Sequence, residues 1–142
     1  MDESTGERLS RATLNAFRIV FGLMFMQHGA QKLFGIFTDG DAVALASLLG
    51  LAGVLELGGG LLIVLGAFTR PVAFVLAVEM VVAYFYAHFP SGWVPALNGG
   101  ELAVLYAFAF LHLAAWGGGA FSVDGLLARR RRKAAGLGPP RA

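Results

Sequence analysis

Cysteine is absent from all 142 residues. That excludes disulfides, thiol redox chemistry and iron–sulfur clusters ligated by this chain, and it leaves the redox compartment unreadable. Charge is scarce too. Asp, Glu, Lys and Arg make up 14% of the chain, where a soluble domain carries about 25%. Apolar residues take their place, at 57% of the total and a mean hydropathy of +0.69. They fall in long runs, so the chain reads as an integral membrane protein forming one compact unit in the lipid bilayer. The net charge is +2, with the basic residues mainly at the ends, so no nucleic-acid partner is expected. No metal site is expected either. Asp2, Glu3 and Glu7 precede the first apolar run and Arg18 interrupts it, a pattern unlike a cleavable signal peptide.

What is present is a series of apolar spans. A polar segment, residues 1–11, leads into a first helix from about Leu14 to Phe34. After a turn tipped by Asp39-Gly40-Asp41, a second helix is predicted over Ala42 to Phe68, rich in glycine and with one charge, Glu56. Small residues at such spacing let backbones approach closely in lipid. A third helix is predicted from Pro71, suited to a helix start, to Phe89, with Glu79 mid-span and His88 at its end. The loop Pro90 to Pro95 carries Trp93, a residue of the membrane–water interface. Asn98-Gly99-Gly100-Glu101 opens a fourth helix to Trp116. The expected architecture is an all-α membrane protein, a four-transmembrane-helix bundle over residues 12–127, followed by a basic disordered tail over 128–142. Arg8, Arg11, Arg70 and the run Arg129 to Lys133 share one side, which puts both termini in the cytoplasm.

Within the spans, the first helix is the anomaly, because it carries Arg18, Gln27, His28, Gln31 and Lys32. Hydrocarbon tolerates such groups only against protein, water or the interface. At about 1.5 Å per residue, Arg18 and His112 fall in the inner half and Glu56 and Glu79 near the middle. His28, Lys32, His88, Asn98 and Glu101 fall in the outer half. Matching depths predict structural ion pairs of Lys32 with Glu101 and of Arg18 with Glu56 or Glu79. His28 and Lys32, four apart, share a face. Glu79 and His88, nine apart, lie on opposite faces of an ideal helix, so His88 is expected to point outward. His28, Lys32, Asn98 and Glu101, with Glu56 deeper, are the candidate ligand-binding residues. A pocket between the first, second and fourth helices would hold the ligand.

The motifs His28-Gly29-Ala30-Gln31-Lys32-Leu33-Phe34-Gly35, Glu56 with Gly58-Gly59, Gly66-Ala67-Phe68-Thr69-Arg70, Met80 with His88, Asn98-Gly99-Gly100-Glu101 and Ser122-Val123-Asp124 follow in order. Together they resemble the DoxX family of small four-helix membrane proteins, over about residues 12–127. Glu79, directly before Met80, lies outside that pattern. The resemblance implies a quinone-linked redox or oxidative-stress complex in the bacterial cytoplasmic (inner) membrane. It transfers no catalytic residue.

Two readings follow. In the first, the chain is a quinone-linked subunit that is not self-sufficient as an enzyme. His28, Lys32 and Glu101 would receive a quinone headgroup, histidine being able to move protons near neutral pH. No flavin, nucleotide or iron–sulfur motif is present, so electrons would come from another chain, and no covalently bound cofactor is expected. Haem held by His28 and His88 is disfavoured by the outward placing of His88. In the second reading the chain is a non-catalytic structural or anchoring subunit, packed against a protein partner or in a homo-oligomer.

Overall fold

The computed structural model describes residues 3–136, which form helices and no strand. Helix α1 covers Glu3–Phe34. Helices α2 (Leu48–Leu65) and α3 (Thr69–Ser91) are each long and apolar enough to cross a membrane. A single turn, Pro95–Asn98, precedes α4 (Glu101–Trp116), apolar but shorter at 16 residues. Helix α5 (Val123–Ala134) follows.

Local chemistry sets these limits. The Ser47 hydroxyl accepts from the Gly50 N–H at 3.0 Å, so α2 begins at Leu48 and not at Ala42; a serine cap outweighs the apolar run before it. Gly66, at φ 66°, closes α2 in the left-handed conformation. Polar residues from Glu3 to Arg11 continue α1 instead of standing apart. At 32 residues and about 1.5 Å each, α1 is longer than a bilayer core about 30 Å thick. The tail expected to be disordered from residue 128 is helical as far as Ala134. Ser122 caps that helix through the Gly125 N–H at 3.0 Å, and Arg131, Arg132 and Lys133 complement the dipole of its last turn. Residues 137–142 of the tail lie outside the described residues.

Helices α1 and α2 touch backbone to backbone. Gly22 and Gly29 on one face Gly53 and Gly60 on the other, each pair two turns apart. A Cβ on Gly29 would meet the Gly53 carbonyl at 2.8 Å, and one on Gly60 the Gly22 carbonyl at 3.0 Å. Only glycine permits that approach. Helix α3 packs along α4, and α1 meets α4 through rings: Phe25 on Phe110 at 4.7 Å and Phe21 on Tyr106 at 5.8 Å between centroids. Ile63, Leu76 and Leu113 are buried in the same core, whereas Leu51, Phe74, Leu105 and Phe108 are among the large apolar side chains that face outward.

One end of the bundle is locked by charge. Arg18, 1% exposed, pairs with neither Glu56 nor Glu79. Its guanidinium donates to the carbonyls of Ile63 (2.6 Å), Val64 and Phe121 (2.8 Å). The last carbonyls of a helix have no partner within it and sit at its negative end, so α2 offers Arg18 acceptors at its own depth. Asp124 does the reverse for α3, accepting from the N–H groups of Phe68 at 2.9 Å and Thr69 at 2.8 Å. Phe68 holds φ 49°, strained for a residue with a side chain, and this bond helps keep it there. Partial burial opposes the Asp124 charge. The N–H groups of Thr69 and Phe68 and the nearby Arg18 outweigh that and hold its carboxyl below the usual value.

A carboxyl depressed by folding stabilises fully above the ordinary aspartate range, near pH 4, and loses the contribution as pH falls through the folded value. Asp124→Ala should therefore cost about 1 kcal/mol at pH 7, as loss of a cap does. In thermal unfolding of the detergent-solubilised protein, the gap between wild type and variant should close between pH 5 and pH 2. A gap constant over that range would show that the Asp124 charge is immaterial.

Candidate functional site

Lys32 comes from the last turn of α1, and at that height α2 departs from regular geometry. Residues Leu55–Gly59 form a π-helical turn, a wider coil that inserts a residue and is common at functional sites. Glu56 lies in that turn, its side chain 5% exposed, with its carboxylate oxygens 2.7 and 2.6 Å from the Lys32 Nζ. Lys32 is thus paired with Glu56 and not with Glu101. Glu101 stands exposed in the first turn of α4, where a carboxylate already suits the helix dipole. Depth matched Lys32 to Glu101 and set Glu56 nearer the middle; the close crossing of α1 and α2 at Gly29 and Gly53 brings Lys32 to Glu56 instead.

A second π-helical turn, Tyr84–His88, interrupts α3. Its wider coil rotates less per residue than the roughly 100° of an α-helix, and so brings His88 back toward the face of Glu79. Both line one cavity, contrary to the ideal-helix expectation that His88 points away. The cavity, about 430 Å³, opens between α2 and α3. Lys32, Glu56, Glu79 and His88 supply its polar groups, and Leu51, Leu55, Val75, Val78 and Val82 are among its aliphatic walls. Leu51, Val78 and Val82 are about half exposed on the outer surface, so the mouth opens sideways, where lipid would lie. The volume is within the range of small-molecule sites, about 300–1,000 Å³, and well above the roughly 150 Å³ that admits benzene.

Glu79 is the unresolved polar group. Both its carboxylate oxygens are buried and lack a hydrogen-bond partner, while Glu56 and Lys32 lie within electrostatic reach. One ammonium thus faces two carboxyls. These three groups are neutral together only when they also hold a proton or a further cation.

The other sequence-derived candidates lie elsewhere. His28 sits beside the pair, its Nδ1 3.3 Å from the Gln31 Oε1 and its ring edge-on to Tyr106 at 5.7 Å. Asn98 is spent on the loop: its Nδ2 donates to the Gly92 carbonyl at 2.6 Å and its Oδ1 accepts from the Gly100 N–H at 2.8 Å. The backbone carbonyl of Asn98 lies 3.3 Å from His88 Nδ1. His112 is exposed at the opposite end, stacked on Trp116 at 5.9 Å. The pocket is therefore not between α1, α2 and α4, and His28, Asn98 and Glu101 do not line it. Sequence reasoning missed Tyr106, 3% exposed, with a buried hydroxyl that has no partner. A phenol inside an otherwise apolar span was the available signal.

The DoxX family model matches residues 13–89, more than half of the chain. The chain belongs to the DoxX family. An uncharacterized protein of Haemophilus influenzae is 42% identical over 113 residues, covering 75% of this chain and 84% of the relative. No solved structure matches. The part of the chain that matches DoxX holds most of α1, all of α2 and most of α3, and with them Lys32, Glu56, Glu79 and His88 of the cavity. DoxX membership and two helices able to cross a bilayer make this a small helical membrane protein.

Removing one member of a buried pair leaves the other charge without compensation, at a cost of about 3–5 kcal/mol. Lys32→Met and Glu56→Gln should each destabilise the protein on this scale, tempered by the partial exposure of Lys32, and the double variant should recover much of the loss. Glu101→Gln should stay within about 1 kcal/mol of wild type. A double-mutant cycle on thermal unfolding in detergent checks this, and strictly additive effects of Lys32→Met and Glu56→Gln would rule out the coupling.

Proposed function

We propose that this DoxX protein is a membrane subunit of a quinone-linked redox or oxidative-stress complex, holding a quinone-type ring in the cavity between α2 and α3. The observation that carries the reading is the cavity itself: aliphatic walls, a sideways mouth, and Lys32, Glu56, Glu79 and His88 gathered on it. A lipid-soluble ring with a polar edge needs that combination. The ring would slide in from the hydrocarbon and its oxygens would meet the polar groups. The chain has no cysteine and no flavin or nucleotide motif, so the electrons belong to a partner chain, and this subunit positions the ring and exchanges protons with it.

The alternative, a non-catalytic anchoring subunit in a hetero- or homo-oligomer, draws on the Lys32–Glu56 pair and the Arg18 lock, which hold helices together without any ligand. Purification in mild detergent separates the two. Extractable quinone at near one per chain, lost when Ala83→Phe fills the cavity, is the expected result. A stoichiometric partner protein, with no quinone in wild type, would favour the anchor.

The proposed setting is the bacterial cytoplasmic membrane, crossed four times with both termini inside. The support is the basic residues: Arg8, Arg11, Arg70 and α5 share one end of the bundle, and Asp39 and Asp41 lie at the other. Single cysteines placed at Thr5 and Asp39 test it with an impermeant thiol reagent on intact cells. Asp39 should label and Thr5 should be protected; the reverse pattern would invert the topology.

A further inference from the structure

We propose that α5 is an interfacial helix that lies on the membrane surface and binds the headgroups of anionic phospholipids, at the end of the bundle away from the cavity and independently of it.

Contacts fix the depth at which α5 begins. The Arg18 guanidinium takes the carbonyls of Ile63 and Val64 in the last turn of α2 together with that of Phe121, just before α5. Asp124 accepts from the Phe68 and Thr69 N–H groups at the start of α3, and its own N–H donates to the Gly66 carbonyl at 3.0 Å. The first turn of α5 is therefore level with the ends of two helices long enough to cross a membrane. That level is the boundary between hydrocarbon and headgroups. Trp116 stands exposed at the end of α4, and its neighbour Gly117 lies against Arg70 in the first turn of α3. Tryptophan favours this boundary.

The face of α5 suits the same place. Val123, Leu126 and Leu127 are 38%, 56% and 46% exposed, and Phe121 directly before them is 73% exposed. At about 100° per residue, Val123, Leu126 and Leu127 share one sector of the helix, which also holds Arg130. Arg131 and Lys133 flank that sector on either side, and all three cations are exposed. Arg129 donates to the Ala120 carbonyl and ties the helix to the loop before it. An apolar strip edged by long cations is the pattern of a helix lying in the interface. The leucines enter the acyl boundary, while the stems of Arg and Lys run along hydrocarbon and their heads reach outward. A basic cluster at the end of a span attracts anionic lipid, and a guanidinium can grip a phosphate with two parallel hydrogen bonds.

A nucleic acid would also be drawn to the basic run. It would leave Phe121, Leu126 and Leu127 in water, whereas a bilayer receives cations and leucines together. An acidic protein segment would have to displace a bilayer already level with the first turn.

The lack of cysteine makes the test direct. Full-length protein carrying Leu127→Cys or Ala128→Cys, each labelled with bimane, is placed in nanodiscs that contain a phospholipid spin-labelled near its headgroup. In discs of phosphatidylcholine with about a quarter phosphatidylglycerol, the label at 127 should be quenched at least about twofold more than the label at 128, on the far face. Discs of phosphatidylcholine alone should lose that difference, and so should Arg130→Gln/Arg131→Gln/Lys133→Gln in the anionic discs. These three side chains lie outside the Arg18–Asp124 lock, so unchanged thermal unfolding is the folding control. Should the triple variant fold poorly, the change of lipid alone decides. Equal quenching at 127 and 128 in anionic discs overturns the interfacial placing. A difference that persists undiminished in neutral discs overturns the headgroup recognition. No quenching at either position, with a DNA duplex or an acidic peptide bound by wild type and lost in the triple variant, overturns the proposal in favour of that partner.

Discussion

The Lys32 ammonium lies 2.7 and 2.6 Å from the two oxygens of Glu56, and that contact determines what the other polar side chains of the upper half are left to do. Inside a bilayer each charge must be answered by protein or water, and the chain places one cation at that depth against two carboxyls. Lys32 reaches Glu56 because α1 and α2 are drawn together by glycine on both sides. Once Glu56 is satisfied, Glu79 has no counter-charge of its own, and the space beside it is a cavity and not packed core. Pairing, backbone approach and the vacant volume between α2 and α3 are thus consequences of one geometry.

The opposite end solves the same problem without a carboxylate. Arg18 is almost fully buried, yet its partners are backbone carbonyls, those of Ile63 and Val64 at the end of α2 and of Phe121 in the loop before α5. Asp124 caps α3 with the complementary charge. A Cβ on Gly66 would press on the Arg18 guanidinium, at 3.0 Å, and more closely still on Ser122. The motifs around Gly66 to Arg70 and Ser122 to Asp124 therefore have a shared structural task, which separates them from the residues of the cavity. A chemical role is better sought in the groups that this lock does not consume.

Much of this was legible in the sequence, in a particular way. Hydropathy gave the helices, and rise per residue gave depth, so Lys32, Glu56, Glu79 and His88 are all legible as intramembrane polar groups, the two carboxyls near the middle and Lys32 and His88 in the outer half. Depth alone cannot say which helices adjoin, and it matched Lys32 to Glu101, whereas the glycine-lined crossing of α1 and α2 gives Lys32 to Glu56. Arg18 was matched to a carboxylate because only side chains are visible in a sequence; a helix end offering carbonyls has no letter of its own. Ser47 did carry a signal for the start of α2, but the apolar run from Ala42 masked it. Tyr106 was hidden by its apolar neighbours.

The placing of His88 shows why the cavity itself could not be read. Nine residues of ideal helix separate Glu79 from His88 by half a turn, so the pair looked incompatible with one site. The π-helical turn at Tyr84–His88 removes part of that rotation, and the one at Leu55–Gly59 holds Glu56 on the facing helix. Neither has a sequence signature beyond the glycines in α2, because a π turn is a response to packing and not a propensity of its residues. Such a turn leaves a local irregularity in the helix hydrogen bonds, which is stabilised only by what it brings into place. Here the two turns stand on opposite walls of the same cavity, and each presents an ionisable side chain to it. A purely structural bundle could have packed α2 on α3 with unbroken helices and an apolar residue at Glu79. The retention of both turns and of an unanswered carboxyl is the physical reason to look for a ligand between them.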